Sequence, residues 1–487
     1  MTAEEYQGII NEEMFKLINE LVENGKLKEY RPLYEIFVEE KDELIEIADK
    51  SPEEVYSKII EEYLMNIRGI AKLVPGLTTG IKDSKSGAEI YTYSGRTSAS
   101  GEMVDENTRF DIASTTKLFT TTLALKLAEE GKFSLDRSVS SYKNGKYKYL
   151  NILVEEMAKY YYELRTPGRL DERDGELSKE ELDNRLSGTK VAKEKTFVYS
   201  DIPFIILKDI MPDSDEYFKK YFNEEMNMLN TSYERFGSLT GGKDGELKEV
   251  HDPKARVMER YGINPGHAGV FSTSKDLVKL NEALKNGFLS KESLQKMITP
   301  VVKTPMLLDE NGIPVMKRDK NGNATGQINI SRAMGVYIKH PEGIRVNELP
   351  APVSDEAFAM TGFTGSHMVV DLKNGLTTNI LANPISDNNQ REVIIDNNKF
   401  TIRDCGKVFE NGTKFKVVNR TSEVYDKDGN LITKAPYTRI TNTLKEEQIN
   451  VLLKLRLAKN SLLRKVELES QKSEVHDVFE TSRSIKM

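Results

Sequence analysis

The stretch "TTKLFTTTLALKLAEEGKFSLD" constrains the fold more than any other. It reads as one long helix closed by Gly131, the residue that most easily adopts the left-handed turn at a helix end. "VDENTRFDIA" leads into it, and Ser114 and Lys117 stand i and i+3 where the helix begins. That spacing puts the two side chains on one face, about 5–6 Å apart at Cβ. Two readings are open. Ser114 is an N-cap beside an unrelated lysine, or it is a nucleophile beside its activating amine. A hydroxyl is a poor nucleophile until a neighbour takes its proton, and a lysine can do so only if its pKa is pulled down. The N-terminal N–H groups of a helix favour negative charge developing on Oγ. The N–H of the serine itself can form half an oxyanion hole.

Hydrophobic periodicity divides the rest of the 487 residues. From residue 2 to 72, apolar residues such as Ile9, Ile10, Phe15, Ile18 and Leu21, then Val55, Ile59 and Leu64, recur with a helical period. In "SPEEVYSKI", Ser51 is placed as an N-cap and Pro52 at the first helical position. The pattern predicts a helical N-terminal extension over 1–72, either a packing cap or a surface for a protein partner. "GLTTGIKDSKSGAEIYTYSGR" predicts a strand-turn-strand hairpin around "DSKSG". Residues 143–196, rich in Lys, Glu and Tyr, predict helices and a surface excursion near "TPGRLDERDGE". Strands are expected at "AMGVYI", "HMVVDLKNG" and "LTTNILANP", and another hairpin at "DKDGN". "LKEEQINVLLKLRLAKNSLLRKVELE" predicts an amphipathic helix, with a disordered tail after it. The divisions are 1–72, a main domain over 73–405, and 406–487. The expected class is α/β (α+β), hydrolase-like.

Composition removes several functions. A net charge of -7 and a pI near 5.7 argue against nucleic acid or an anionic membrane surface, which need clustered Lys and Arg. The single cysteine, Cys405, excludes an intrachain disulfide and a Cys-rich metal site. None of the five histidines falls at a metal-ligand spacing, so no metal or other cofactor is expected. The first thirty residues lack the pattern of a secretory signal, and no run approaches the ~20 apolar residues of a membrane span. A cytoplasmic location is the expectation.

"TRFDIASTTKLFTTTLALKLAEEGKFSLD" resembles the SxxK block of the β-lactamase and penicillin-binding-protein superfamily, especially its class C-type enzymes and related esterases. "KTFVYSDIPFIILKDIM" is similar to the family's second block, with Tyr199 as its tyrosine. "LNTSY" resembles a later segment, and "VHDPKARVMERYGINPGHAGVFSTSKDLVKL" a run of the esterase-like branch. "AFAMTGFTGSHMVVDLKNG" resembles the third block. These blocks stand in family order across roughly 73–405. The resemblance implies an antiparallel sheet flanked by helices, beside an α-helical subdomain, with the site between them. It implies that Ser114 carries an acyl group, that Lys117 shares the proton, and that Tyr199 is the general base, as phenolate or through a relay with Lys117. A second oxyanion donor is implied near Phe363 or Thr364. The substrate would be a small acyl compound, an ester or amide.

The departures shape the reading. Asp201 stands where many relatives have Asn; a carboxylate near Lys117 would hold the ammonium protonated and shift the base role toward Tyr199. The third motif reads Met360-Thr361-Gly362, where the family has Lys or His before Thr-Gly. Methionine supplies soft apolar contact and cannot pair with a carboxylate. β-Lactamase and carboxypeptidase activity are therefore disfavoured against neutral or apolar acyl substrates. Only a "TPG" echo at Thr166 to Gly168 remains of the cleft wall that usually follows the serine helix. "EELDN", Glu180 to Asn184, mimics a class A motif but precedes Tyr199, and reads as an accident in a charged surface segment. His267 either contacts substrate or is a packed histidine shaping a turn. Arg332 and His340 are placed at the rim. The alternative to a hydrolase is a catalytically silent member of the fold that binds a ligand or partner.

Overall fold

A computed structural model describes residues 76–84, 89–98, 101–173, 175–197, 199–240, 250–301, 332–339, 349 and 353–383, with short stretches at 313, 316–318, 324–327, 392–395, 398–401, 414–418 and 421–436. All of them belong to one compact unit, Ala71–Asn442. The N-terminal helices expected over 1–72, Cys405, His340, and the C-terminal helix and tail lie outside the described residues.

The helix read from the sequence is α1, Thr116–Glu129, and Gly131 beyond it has φ +69°. Thr116 through Leu125 and Leu127 are all buried, so α1 is enclosed on nearly every side. Each fully buried Leu or Phe contributes roughly 1.5–3 kcal/mol of transfer free energy. A buried helix must also place its hydroxyls, and here they become tethers. Thr120 Oγ1 donates to the Gly266 carbonyl at 2.8 Å, and Thr121 Oγ1 to that of Met334 at 3.3 Å. Thr116 Oγ1 accepts from the Val270 N–H at 3.3 Å. Phe119 packs against Phe218 and Phe222, with ring centroids 5.8 and 5.0 Å away. Helix α2, Ile202–Ile210, lies against α1 and buries Phe204 through Leu207. Helix α3, Pro253–Arg260, begins with Pro253 after the capping carboxylate of Asp252. Helix α4, Ser274–Lys285, packs on the sheet.

That sheet has six strands, all adjacent pairs antiparallel: β1 (Gly76–Asp83), β2 (Glu89–Gly95), β3 (Tyr337–Ile338), β4 (Ala357–Thr361), β5 (His367–Asp371) and β6 (Leu376–Ala382). Their order is β2-β1-β6-β5-β4-β3. The expected hairpin around "DSKSG" is the β1–β2 pair, and "HMVVDLKNG" and "LTTNILANP" supply β5 and β6. In "AMGVYI" only the last two residues are strand, because Gly335 turns the chain at φ +68°. Between sheet and α4, Asn379 exchanges two hydrogen bonds with Ser274, at 2.6 and 3.0 Å.

Residues 143–196 do contain helices, at Val154–Ala158 and Lys179–Ser187. They also hold an antiparallel pair not expected from the sequence, Tyr162–Arg165 with Lys190–Glu194. The second of these strands has no buried residue, so it offers no apolar alternation to read. The "DKDGN" signal is the turn between Thr421–Tyr425 and Leu431–Pro436, within a three-stranded sheet. Among the described residues, no helix is long and apolar enough to cross a membrane.

The turn after β4 is fastened to the segment before α1 by hydroxyls. Thr364 Oγ1 donates to the Asp111 carbonyl at 2.5 Å, and Ser366 Oγ to that of Ile112 at 2.7 Å. Thr115 Oγ1 and Ser366 Oγ are 2.9 Å apart. Gly362 makes this approach possible: a Cβ there would fall on Ser366 Oγ and on the Ile112 carbonyl oxygen. Gly362→Ala should destabilise the protein by about 1–3 kcal/mol through overpacking, read as a lowered Tm. An unchanged Tm would mean that the turn can retreat freely from Ile112.

Candidate active site

Ser114 sits in a single 3-10 turn, Ala113–Thr115, that feeds directly into α1. Ala113 before it has φ +44°, a left-handed conformation costly for a residue with a Cβ. The Asp111 side chain holds that backbone, accepting the Ala113 N–H at 2.8 Å. Ser114 itself is partly exposed.

Lys117, one turn along α1, is 0 % exposed. Four oxygens surround its Nζ: Ser114 Oγ at 3.0 Å, Tyr199 Oη at 2.6 Å, Asp201 Oδ1 at 2.8 Å and the His267 carbonyl at 3.0 Å. Tyr199 Oη lies 2.5 Å from Ser114 Oγ, closing a Ser–Lys–Tyr triangle. Tyr199 is held from the sides by the ring of Tyr160, with centroids 5.9 Å apart, and by Arg332, whose Cζ lies 4.8 Å from its centroid. Arg332 also stacks on Tyr337 at 4.9 Å.

Asp201 immediately precedes α2, a position where an aspartate commonly caps the helix. It makes no side-chain cap here. Its two oxygens go instead to two lysines, Oδ1 to Lys117 and Oδ2 to Lys254 Nζ at 2.9 Å. Burial alone would push the Asp201 carboxyl up, but Lys117, His267 and Lys254 together hold it far below the ordinary carboxylate range. Burial likewise disfavours charge on Lys117, yet Asp201 and Tyr199 outweigh it and raise the Lys117 pKa. The same balance raises Lys254, with Asp201 and Asp252 opposing its desolvation. Lys117 is therefore an ammonium at neutral pH and donates rather than accepts.

A second carboxylate completes the ring of contacts. Asp252 Oδ1 accepts the N–H groups of Lys254 and Ala255, both at 2.9 Å, and meets His267 Nε2 at 2.9 Å. Possible ligand atoms of Asp201, Asp252 and His267 lie within 4.8 Å of one another, a grouping that could attract a cation. The cations in contact with Asp201 are the two lysine ammoniums.

Two of the expected substrate contacts need correction. His267 is 0 % exposed and serves as a packed, hydrogen-bonded residue whose carbonyl holds Lys117. Met360 is 1 % exposed, because β4 lies between β3 and β5 and both of its faces are covered, with Ala357 through Met360 all buried. Thr361 and Gly362 are partly exposed, Thr364 is buried and bonded to Asp111, and Phe363 is 72 % exposed. The Phe363 ring stacks on His251, centroids 5.3 Å apart and planes 14° off parallel. Glu180 is exposed on its helix, as expected for a surface segment. Lys254 was missed in the sequence: "DPK" marks a helix start, but nothing local says that its third residue reaches Asp201.

Comparison with known proteins agrees with this frame. A family model described as Beta-lactamase matches residues 60–396. The chain belongs to the beta-lactamase family. Among solved structures, it is similar to a class C beta-lactamase at 17% identity, covering 69% of this chain and 92% of that one with a TM-score of 0.50. It is also similar to a mutant class C beta-lactamase at 17% identity, covering 69% and 94%, again with a TM-score of 0.50. At these identities the likeness is one of fold. No curated protein matches the chain.

Replacing Asp201 with Asn should leave Lys117 and Lys254 without their carboxylate and cost about 3–5 kcal/mol at pH 7. The depressed Asp201 pKa places its stabilisation above the unfolded value of 3.8, to be lost as pH falls toward the folded value. The Tm gap between parent and Asp201→Asn should be widest near neutrality and narrow below pH 4. A gap independent of pH would contradict the ion-pair assignment.

Proposed function

We propose that this chain is a serine hydrolase or acyltransferase of the esterase type, working through an acyl-enzyme on Ser114. The observation that carries the reading is the triangle of Ser114 Oγ, Lys117 Nζ and Tyr199 Oη, with sides of 3.0, 2.6 and 2.5 Å and a partly exposed serine. Ser114 Oγ attacks the carbonyl carbon of the substrate as its proton passes to Tyr199 Oη. With Lys117 held as an ammonium, Tyr199 takes this proton as a phenolate and returns it to the leaving group as the carbonyl re-forms. The Lys117 ammonium beside Oη stabilises negative charge there during transfer, and needs no reorganisation because Asp201 and the His267 carbonyl already fix it. The developing oxyanion is received by the backbone N–H groups of Ser114 and Phe363. Water, or another hydroxyl acceptor, then attacks the acyl-enzyme by the reverse proton path.

Two features favour neutral or apolar acyl substrates. Met360 supplies no cation at the third motif. The exposed Phe363 ring, braced by His251, offers an apolar platform beside the proposed oxyanion donor.

Hydrolysis of short-chain p-nitrophenyl esters tests the reading. Ser114→Ala should abolish turnover, and Tyr199→Phe should lower kcat by about 10²–10⁴-fold with little change in KM. Turnover that persists in Ser114→Ala, or full activity in Tyr199→Phe, would overturn it.

A further inference from the structure

Asp111 lies three residues before Ser114, is 2 % exposed, and takes no part in the proton transfers above. Among the described residues its carboxylate makes no ion pair. Each oxygen instead accepts one backbone N–H, Oδ1 from Ala113 at 2.8 Å and Oδ2 from His251 at 2.9 Å. Its own carbonyl accepts Thr364 Oγ1 at 2.5 Å. Three separate segments of the site therefore meet on this one residue. Ala113 sets the direction of the Ser114 N–H, because its φ of +44° is the last left-handed step before the nucleophile. His251 carries the ring on which Phe363 stacks. Phe363 in turn lies between Gly362, pressed on the Ile112 backbone, and Thr364, bonded to Asp111.

We propose that Asp111 is a positioning residue that keeps the two oxyanion donors, the N–H groups of Ser114 and Phe363, in register, and that proton uptake by its carboxylate slackens the pocket. The inference rests on the serine-hydrolase reading of the site. Its chemistry is that of a carboxylate with two donors aimed at it. An ionised group can accept at both oxygens, whereas a protonated one turns one oxygen into a donor facing an N–H. One of the two tethers, to Ala113 or to His251, is then lost.

The titration falls in a usable range. Burial pushes the Asp111 carboxyl up to about 6, against the opposing pull of the His251 and Ala113 N–H groups; nearby Asp252 adds to the rise and Arg235 works against it. The sign separates this effect from acid unfolding. A folded pKa above the unfolded 3.8 means that Asp111 contributes stability at low pH and loses it as pH rises through about 6. Between pH 6 and 4, activity should therefore fall while the Asp111 contribution to stability grows.

The test follows kcat and KM for p-nitrophenyl butyrate from pH 4.5 to 8.5 with the full chain, parent and Asp111→Asn. The parent kcat should drop about 10- to 100-fold as pH falls through 6, the scale of a misaligned oxyanion donor, with KM moving less than about threefold. In Asp111→Asn the amide N–H₂ faces a backbone N–H at every pH. Its kcat should stay at the low level and show no step near pH 6. An Asn variant that equals the parent at pH 8, or keeps the step, would overturn the proposal. Should the variant fail to fold, hydrogen exchange on the unaltered chain decides: protection of at least one of the two tethered N–H groups, Ala113 or His251, corrected for intrinsic rates, should weaken below pH 6. Constant protection from pH 7.5 to 5 would overturn it. Absence of ester turnover in the parent at every pH would defeat the hydrolase reading, while the exchange measurement would still show whether Asp111 holds the serine turn.

Discussion

A fully buried ammonium is the constraint on which the arrangement of this molecule depends. Lys117 is shut off from solvent, and an unpaired charge in that position would cost several kcal/mol or lose its proton. Its stabilisation comes from four oxygens on three stretches of chain: Ser114 in the turn before α1, Tyr199 and Asp201 in the segment before α2, and the loop carbonyl of His267. Satisfying one cation therefore fixes the helical layer around the serine. Thr120 and Thr121 of α1 act in the same sense, donating their hydroxyls to loop carbonyls rather than to their own helix.

The charge balance also distributes the chemical roles. Asp201 bridges two lysines, and the deeper one remains an ammonium because of it. A lysine held in that state cannot accept a proton, so in the proposed reaction abstraction of the serine proton falls to the tyrosine 2.5 Å away. Opposite, the hydroxyl staples of Thr364 and Ser366 bring the β4 turn up to the serine backbone without any charged contact. Ion pairs organise one wall of the site, and hydrogen bonds to backbone groups the other.

Much of this was legible in the sequence, and the failures have physical causes. The long helix, its glycine stop and the hairpins around "DSKSG" and "DKDGN" follow from periodicity and turn chemistry acting within a few residues. Ser114, Lys117, Tyr199 and Asp201 could be named from spacing and motif resemblance, and the fold brings them together. Met360 was expected to face substrate and His267 was left open between substrate contact and packing, yet both are buried; burial depends on which side of a loop or strand meets the core, and a motif does not carry that information. Lys254 and Asp111 escaped notice because their partners, Asp201 and His251, are 53 and 140 residues away in the chain. The strand at Lys190–Glu194, with no fully buried residue, left no apolar alternation to read.

The central claim is that Ser114 is an activated nucleophile in an open site. Intact mass after exposure of the folded parent chain and of Ser114→Ala to a fluorophosphonate probe tests it most directly. A single adduct on the parent, mapped to the peptide carrying Ser114 and absent from the alanine variant, is the expected result. An unmodified parent, or an adduct that survives the substitution, would contradict it.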